Sequence, residues 1–171
     1  MNILGVDLGT HTGIATLTDG VYAATTKTWA SAKQITEFRK RRMDRRSDPR
    51  VLEFHRQMRL GRGTYDLVVF EDVQFSNSTL QTQLWSSFRA ALWLAFQDDY
   101  RALVDCVPTG TLKLFATGHG GSDKDRMAKY LRLQHPDLFK PEYDDNAIDA
   151  LWLVLWAERH LGRTPCLTKP A

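Results

Sequence analysis

Residues 1–17, MNILGVDLGTHTGIATL, contain a short apolar run, a carboxylate at its end and an open turn of small residues. Residues 2–7 are nearly all apolar, which is typical of a strand that is covered on both faces. Asp7 ends this run, and a Leu-Gly-Thr turn follows it. A carboxylate in this place can hold a metal ion, whereas a turn of this kind can also wrap a nucleotide phosphate. Which interpretation applies depends on the rest of the chain.

The pattern of apolar residues and turn signals predicts the element order βββ-α-β-α-β-α, with an extra helix late in the chain. Asp19 and Gly20 predict a hairpin turn between strands at 13–18 and 21–28, because Asp-Gly suits a tight turn. Three antiparallel strands followed by strands joined through helices make a mixed sheet flanked by helices, the order of a ribonuclease H-like fold. The other predicted elements are helical segments at 31–60 interrupted near Pro49, a strand at 66–73, a helix at about 79–98, a strand at 102–107, a short helix within 108–122, a helix from a Ser122 cap to about 134, and a last helix at about 146–160.

Length and composition predict one domain that spans residues 1–171. No apolar run reaches the ~20 residues that cross a bilayer. The N-terminus lacks the basic region and the cleavage site of a signal peptide. Cys106 and Cys166 lack the partner spacing of a zinc site or a redox pair. We therefore expect a protein of a reducing, cytoplasmic compartment without a membrane partner.

Positive charge is concentrated in a segment at about 31–62. The formal net charge of the chain is only +3, but ten Lys and Arg residues occur from Arg39 to Arg62, against three acidic residues. A solvated helix face would explain this run, and the alternative is a patch that contacts nucleic-acid phosphates. We predict a basic helical insertion in the domain, and its predicted DNA-binding residues are Arg41, Arg42, Arg45 and Arg46.

Carboxylates occur at the ends of three predicted elements. Asp7 ends the first strand and Glu71 lies near the end of the fourth, and these two strands are neighbours in a ribonuclease H-like sheet. Asp145 and Asn146 precede Asp149 by four and three residues, so either pair shares one face of the last helix. Unpaired carboxylates this close repel each other, and a hard divalent cation such as Mg²⁺ removes the conflict. Each acid also has an ordinary structural explanation, as a helix cap, a charge at a helix N-terminus, a turn residue or a surface group.

Four stretches of the chain, taken in order, resemble the motifs of the RuvC family of Holliday junction resolvases, especially its phage members. ILGVDLGTHTGIA at 3–15 is similar to the first motif, a strand that ends in a catalytic Asp, and VVFEDV at 68–73 is similar to the second, with its Glu. VPTGTLKLFATGHGGSDKDRM at 107–127 resembles the segment with Pro, Lys and a glycine-rich loop, and DDNAIDALWL at 144–153 resembles the last motif.

The resemblance implies Mg²⁺-dependent cleavage of four-way DNA junctions by a homodimer in a bacterial cell or a phage-infected host. It implies two ions per active site, for which Mn²⁺ can substitute, and it makes Asp7, Glu71 and Asp149 metal ligands and catalytic residues. The family commonly has Asp or His three residues before the final Asp, where this chain has Asn146. Either the amide oxygen of Asn146 completes the ligand set, or Asp145 supplies a further catalytic carboxylate.

The resemblance also implies residues that contact DNA. Lys113 and Lys124 match the basic residues near the scissile phosphate, and Lys124 is in addition a predicted catalytic residue. A lysine there can neutralise charge that develops in the transition state, although each could equally be an ordinary surface residue. The family places an aromatic side chain that probes unstacked bases after its second acid, and Phe75 is the candidate here, with a core role as the alternative. Trp85, Trp93 and Phe96 lie on the helix that the family uses for dimerisation.

Three alternatives remain at the level of the sequence. The Asp-Leu-Gly-Thr turn also suits an ATPase of the actin and heat-shock chaperone type, but such proteins close two similar domains around the nucleotide. A second alternative is a module that binds junctions without cutting them, to which the uncharged Asn146 would be suited. A third keeps the chemistry but acts on flaps or forks, because phosphate contacts carry little information about the substrate.

Overall fold

The computed structural model describes residues 1–40, 48–73 and 79–161. Within these ranges the element order matches the prediction from the sequence. The elements are β1 (Ile3–Asp7), β2 (His11–Thr18), β3 (Val21–Thr28), α1 (Ala32–Lys40), α2 (Pro49–Leu60), β4 (Leu67–Asp72), α3 (Thr79–Phe96), β5 (Leu103–Pro108), α4 (Thr109–Thr117), α5 (Lys124–Gln134) and α6 (Asp145–His160). None of the helices in these ranges is both long enough and apolar enough to cross a membrane.

A five-stranded sheet with the strand order β3-β2-β1-β4-β5 forms the centre of the molecule. The first three strands pair antiparallel, and β4 and β5 extend the sheet from β1 in the parallel direction. Val6 of β1 pairs with Phe70 of β4, so that the next residues along the two strands, Asp7 and Glu71, come side by side at one edge. The predicted fold class, three antiparallel strands followed by two parallel strands with flanking helices, is confirmed.

Helices cover both faces of the sheet, as the apolar character of the central strands requires. One face packs Ile3 of β1 and Val69 of β4 against α6, whose Trp152 is fully buried, and against α4 and α5. The other face packs Val6 and its neighbours against α2 and α3. The two cores hold the edge of the sheet that carries Asp7 and Glu71 between helices.

Two glycines allow α6 to lie directly on the sheet. A Cβ atom at Gly13 of β2 would lie 1.9 Å from the carbonyl oxygen of Asn146, and one at Gly5 of β1 would lie 2.6 Å from that of Ala150. Since real Cβ atoms do not approach this closely, only glycine permits these contacts. The first turns of α6 are therefore fixed beside the end of β1.

The N-termini of α5 and α6 differ from the sequence interpretation. Asp123 caps α5, because its side chain accepts a hydrogen bond from the backbone N–H of Arg126 at 2.9 Å. Ser122, the predicted cap, is buried and bonds the Thr117 hydroxyl at 2.5 Å instead. Asp144 caps α6 and accepts from the backbone N–H of Ala147 at 3.0 Å, so the interpretation of Asp145 as a helix cap is wrong.

The segment predicted to be a basic helical insertion contains two helices in the described part of the chain. The predicted break near Pro49 is confirmed, because Asp48 is the non-helical cap of α2 and Pro49 begins this helix, where its fixed φ angle suits the first turn. Within the ranges described, α1 buries none of its side chains, whereas α2 buries Phe54 and Met58. The second helix is thus anchored in the core, and the first lies on the surface.

Candidate active site

A cavity of about 430 Å³ opens at the edge of the sheet where β1 and β4 end. It combines the end of β1, the turn after it, the end of β4, one face of α3, the start of α4 and the first turns of α5 and α6. Most of the residues predicted to carry the chemistry lie in its wall, and these are Asp7, Glu71, Asn146, Asp149, Lys113 and Lys124.

Asp7, at the end of β1, is a buried acid of the cavity with a perturbed pKa. Burial raises the pKa of its carboxyl well above the usual value. The negative charges of Asp149 and Glu71 raise this pKa further, and the ammonium group of Lys124 opposes them. Acids from three separate elements therefore act on one another electrostatically.

Asp149 of α6 shows the same conflict. Burial, followed by the charge of Glu71, raises the pKa of Asp149 to about 7, while Lys124 and Lys113 lower it and Asp145 raises it. At neutral pH the protein thus holds a carboxyl group that is only partly ionised. Such a strong perturbation in a cleft is typical of a functional site.

The structure distinguishes the two neighbouring candidates on α6. Asn146 lies in the wall of the cavity, whereas Asp145 lies outside it with its side chain 53% exposed. The Asp145 carboxylate lies 3.6 Å from the Nζ atom of Lys124. Of the two residues, only Asn146 belongs to the cavity wall, and Asp145 is linked to the cavity through its ion pair with Lys124.

The donor atoms of the cavity suit a divalent cation of the hard type. Among the residues that the structure describes, no three His, Cys, Asp or Glu side chains are gathered closely enough to form a ready-made metal site. However, Asp7, Glu71 and Asp149 offer only oxygen atoms, and Asn146 adds an amide oxygen, which are the ligands that Mg²⁺ prefers. Burial first, and then the charges of the neighbouring acids, raise the pKa values of Asp7 and Asp149, and a bound cation would offset both effects. The residues present therefore fit a bound divalent cation.

Lys113 and Lys124 contribute positive charge to the cavity from α4 and α5. The glycine-rich loop between these helices is held by buried hydroxyls: Thr117 donates to the Lys113 carbonyl, and Ser122 donates to the His119 carbonyl at 2.8 Å. Gly118 has a φ of 73°, a conformation that favours glycine. The loop therefore presents both helices at fixed positions at the mouth of the cavity.

Several residues of the cavity wall were missed by the sequence interpretation. His11 lines the cavity, and its Nδ1 atom lies 3.1 Å from the Thr28 hydroxyl, while Gln81 and Phe88 of α3 line the opposite wall. His11 follows the turn after Asp7 by one residue, and this position could have identified it. Gln81 and Phe88 carry no such signal, because their place depends on how α3 packs on the sheet.

The residues predicted on the dimerisation helix fall into three environments. Phe96 is buried and belongs to the core, so it cannot form an exposed interface. Trp85 lines the cavity, and Trp93 is 45% exposed. The guanidinium group of Arg89 lies over both tryptophan rings, 4.9 Å from the ring centroid of Trp85 and 4.8 Å from that of Trp93.

Five predicted DNA-contacting residues lie outside the described part of the chain. They are Phe75, Arg41, Arg42, Arg45 and Arg46.

Comparison with known proteins finds likeness in structure rather than in sequence. No protein-family model matches the chain, and no curated protein matches it in sequence. The structure of Thermus thermophilus RuvC is similar with a TM-score of 0.67 and 20% identity, over 95% of this chain and 97% of that chain. T. thermophilus RuvC in complex with a Holliday junction substrate is similar with a TM-score of 0.68 and 19% identity, over 91% of each chain. The chain therefore has the fold of RuvC, and the predicted ribonuclease H-like architecture is confirmed over nearly its whole length.

Proposed function

We propose that this chain is a divalent-metal-dependent, structure-selective endonuclease that cleaves four-way DNA junctions. The observation that supports this most directly is the cavity in which Asp7, Glu71 and Asp149, from distant parts of the sequence, meet Lys113 and Lys124. The structural likeness to RuvC in complex with a Holliday junction substrate supports branched DNA as the substrate. An acid cluster alone would repel DNA, so the pairing of acids with lysines favours a metal-assisted reaction on a phosphodiester.

The acids and the amide would share the task of holding the cation. Asp7, Glu71 and Asp149 would supply carboxylate oxygens to the cation, and Asn146 would supply a neutral oxygen. When bound, such ions activate water as Lewis acids and stabilise negative charge on the phosphodiester. We expect Mg²⁺, with two ions per site and Mn²⁺ as a substitute, and products that carry a 5′-phosphate.

The lysines would bind and orient the scissile phosphate. Lys124 has its ammonium group near the Asp145 carboxylate at 3.6 Å, which limits the directions in which it can point. In this assignment Asp145 holds Lys124 and does not bind the cation. Lys113, from the neighbouring helix, provides a second positive charge for the same DNA backbone.

A homodimer is part of the proposal, because resolution of a junction needs paired cuts on two strands. The α3 helix carries exposed apolar side chains that a second copy could cover, with Leu80 at 77%, Leu94 at 54% and Trp93 at 45% exposure. In a two-fold dimer the same face of α3 would meet itself. The expected stoichiometry is therefore two chains and two cavities per junction.

The basic insertion is proposed to extend the DNA-binding surface. Lys33, Arg39 and Lys40 of α1 are exposed, and α1 contributes no buried side chain within the described ranges. A helix that packs little and carries positive charge is suited to contact the phosphate backbone. Flaps and forks remain alternative substrates, because such contacts do not read junction geometry.

The proposal is tested with synthetic substrates: a four-way junction, a flap and a plain duplex, each with Mg²⁺ or with a chelator. We expect wild type to cut the junction only with the metal, and Asp7→Asn to abolish cutting while it keeps junction binding. Asp19→Asn, which changes an exposed acid in the β2–β3 turn, is the matched control and should cut like wild type.

Other outcomes favour the alternatives. Full activity of Asp7→Asn would refute the assigned site. Junction binding by wild type without incision under any divalent cation would favour a non-cleaving module. Tight ATP binding without nuclease activity would favour the ATPase interpretation.

A further inference from the structure

A chain of buried hydrogen bonds supports the turn that follows Asp7. The hydroxyl of Thr12 donates to the carbonyl oxygen of Gly9 at 2.6 Å. The indole Nε1–H of Trp29 donates to the same hydroxyl, also at 2.6 Å. Thr12 is fully buried and Trp29 is 6% exposed, so water does not compete for these bonds. The proposed reaction makes no use of either side chain.

The turn in question, residues 8–12, forms part of the cavity wall. Leu8, Gly9 and His11 line the cavity directly, and Asp7 pairs with Gly13 across the base of the turn. The carbonyl of Gly9 thus accepts a hydrogen bond from a hydroxyl within the same turn. If this bond is lost, the segment that begins at Asp7 loses its internal support.

Aromatic packing holds the indole in place. The ring of Trp29 meets Phe54 of α2 edge to face, with centroids 5.3 Å apart, and Phe54 meets Phe88 of α3 in the same way at 5.1 Å. Phe54 and Phe88 are fully buried, and Phe88 lines the far side of the cavity. The donor to Thr12 is therefore fixed by two helices, one of which belongs to the basic insertion.

A second contact ties the turn to the same end of β3. The Nδ1 atom of His11 lies 3.1 Å from the hydroxyl of Thr28, the residue before Trp29. Thr28 and Trp29, at and just after the end of β3, thus bond His11 and Thr12 at the start of β2. Because Ala32 begins α1 three residues after Trp29, this end of β3 also leads directly into the insertion.

We propose that Thr12 and Trp29 are positioning residues, whose hydrogen bonds hold the 8–12 turn so that Asp7 keeps its place in the cavity. A buried hydroxyl or indole N–H without a partner is costly, so the pair defines one conformation of the turn rather than several. The catalytic consequence of this inference rests on the proposed function, but the structural consequence does not. Neither residue lines the cavity.

The test compares Thr12→Val, which keeps the shape but removes the hydroxyl, with Thr12→Ser, which keeps the hydroxyl. Trp29→Phe keeps an aromatic ring against Phe54 and removes the donor. Thr16→Val, on the same strand, is the matched control, because Thr16 is half-buried and lies away from the turn. Hydrogen exchange of the backbone amides in 8–12 is measured for each variant without metal and without DNA.

We expect these amides to exchange about tenfold faster in Thr12→Val and Trp29→Phe, since a lost hydrogen bond to a buried group is worth a factor of that size. Thr12→Ser and Thr16→Val should exchange like wild type. Calorimetric titration with Mn²⁺ should show affinity reduced about tenfold in the first two variants. At saturating junction concentration, kcat should fall by a similar factor while the Kd for the junction remains unchanged.

Wild-type exchange of the turn in Thr12→Val would overturn the inference, whatever the cleavage assay shows. If Thr12→Val does not fold, Trp29→Phe decides by the same measurement, with Thr12→Ser as its folded reference. If wild type neither binds Mn²⁺ nor cuts a junction, the proposed function fails, and the exchange data still confirm or refute the support of the turn.

Discussion

At the scale of single residues, the acids of the cavity carry an electrostatic cost in the metal-free protein. Burial, followed by the charges of Glu71 and Asp145, raises the pKa of Asp149 to about 7 in spite of the opposing charges of two lysines. An acid whose folded-state pKa is raised costs no stability below its unfolded pKa, where both states are protonated. Stability falls as the pH rises toward 7, because the unfolded chain has released a proton that the native protein still holds, and the cost is complete above 7.

Asp149→Asn should therefore stabilise the protein against urea at pH 8 in the presence of a chelator. The pKa of Asp149 rises from 3.8 to about 7, and each pKa unit corresponds to about 1.4 kcal/mol, so we expect a gain of about 4 kcal/mol at pH 8 that disappears near pH 4. Saturating Mg²⁺ should narrow the difference, because the cation stabilises only the wild-type carboxylate, and the variant should not cut DNA. Asp19→Asn serves as the exposed control, with no expected change at either pH. Destabilisation of the metal-free variant at pH 8 would contradict this account.

The sequence was sufficient to predict most of the acidic and basic residues of the cavity. It was not sufficient to predict which of their neighbours also face the cavity or support it. Asp7, Glu71 and Asp149 could be predicted because strand ends and a helix start meet at one edge in the inferred topology. Which of Asp145 and Asn146 lines the cavity could not be predicted. Adjacent helix residues differ by about 100° in direction, so the packing of α6 on the sheet determines which of them faces the cavity. The bond between Thr12 and Trp29 joins a residue of β2 to the residue that follows β3, and no local pattern reveals it.

At the scale of elements, the contact between α6 and the sheet determines how far the acids lie apart. Gly13 of β2 lies against the carbonyl of Asn146, and Gly5 of β1 lies against the carbonyl of Ala150. Neither position has room for a side chain. The helix axis, and with it Asp149, is thus fixed relative to Asp7 by backbone contacts. Sequence patterns predict the helix and the strands. The need for glycine at these two positions becomes apparent only from the packing of the helix on the sheet.

Gly13→Ala should move α6 away from the sheet. The added Cβ atom would lie 1.9 Å from the Asn146 carbonyl oxygen, and a backbone atom cannot move without its helix. We expect a loss of about 3 kcal/mol in the free energy of unfolding. We also expect weaker Mn²⁺ binding, because Asn146 and Asp149 would move together.

The matched control for this prediction is Gly110→Ala in α4, where the added Cβ would have no neighbour within 4 Å. Its stability should rise slightly, since alanine is the better helix former. Urea unfolding and calorimetric Mn²⁺ titration are the measurements for both variants. Equal stability of Gly13→Ala and wild type would show that α6 can adapt, and the close contact would then not determine the position of Asp149.

Helix ends show the same limit of local patterns. Both Ser122 and Asp123 can cap a helix, and the sequence-based prediction of Ser122 is wrong. The structure selects Asp123 because Ser122 is used inside the glycine-rich loop, where it bonds Thr117. The identity of the helix cap thus depends on a tertiary hydrogen bond of the neighbouring residue Ser122.

At the scale of the whole molecule, the order of strands and helices was enough to predict the sheet and its flanking helices. Antiparallel hairpins and parallel crossovers leave few topologies open, and the predicted one is observed. The place of α1 could not be predicted, because a helix that buries nothing within the described ranges is not fixed by core packing. The place of α2 is different, because Phe54 and Met58 anchor it in the core.

Neutralising Arg41, Arg42, Arg45 and Arg46 to Gln should weaken junction binding and reduce its salt dependence. Each phosphate contact that is lost lowers the slope of log K against log salt by about 0.9, so the four changes should flatten it by up to about 3.6. Lys140→Gln with Arg159→Gln removes two exposed positive charges from other parts of the chain, as a control for net charge alone. Junction affinity is measured in Ca²⁺ or with Asp7→Asn, which prevents cutting, at several salt concentrations. If the four-arginine variant and the control change the slope equally per charge removed, the insertion acts only through net charge. If the four-arginine variant keeps the wild-type slope, the insertion is ordinary solvated surface.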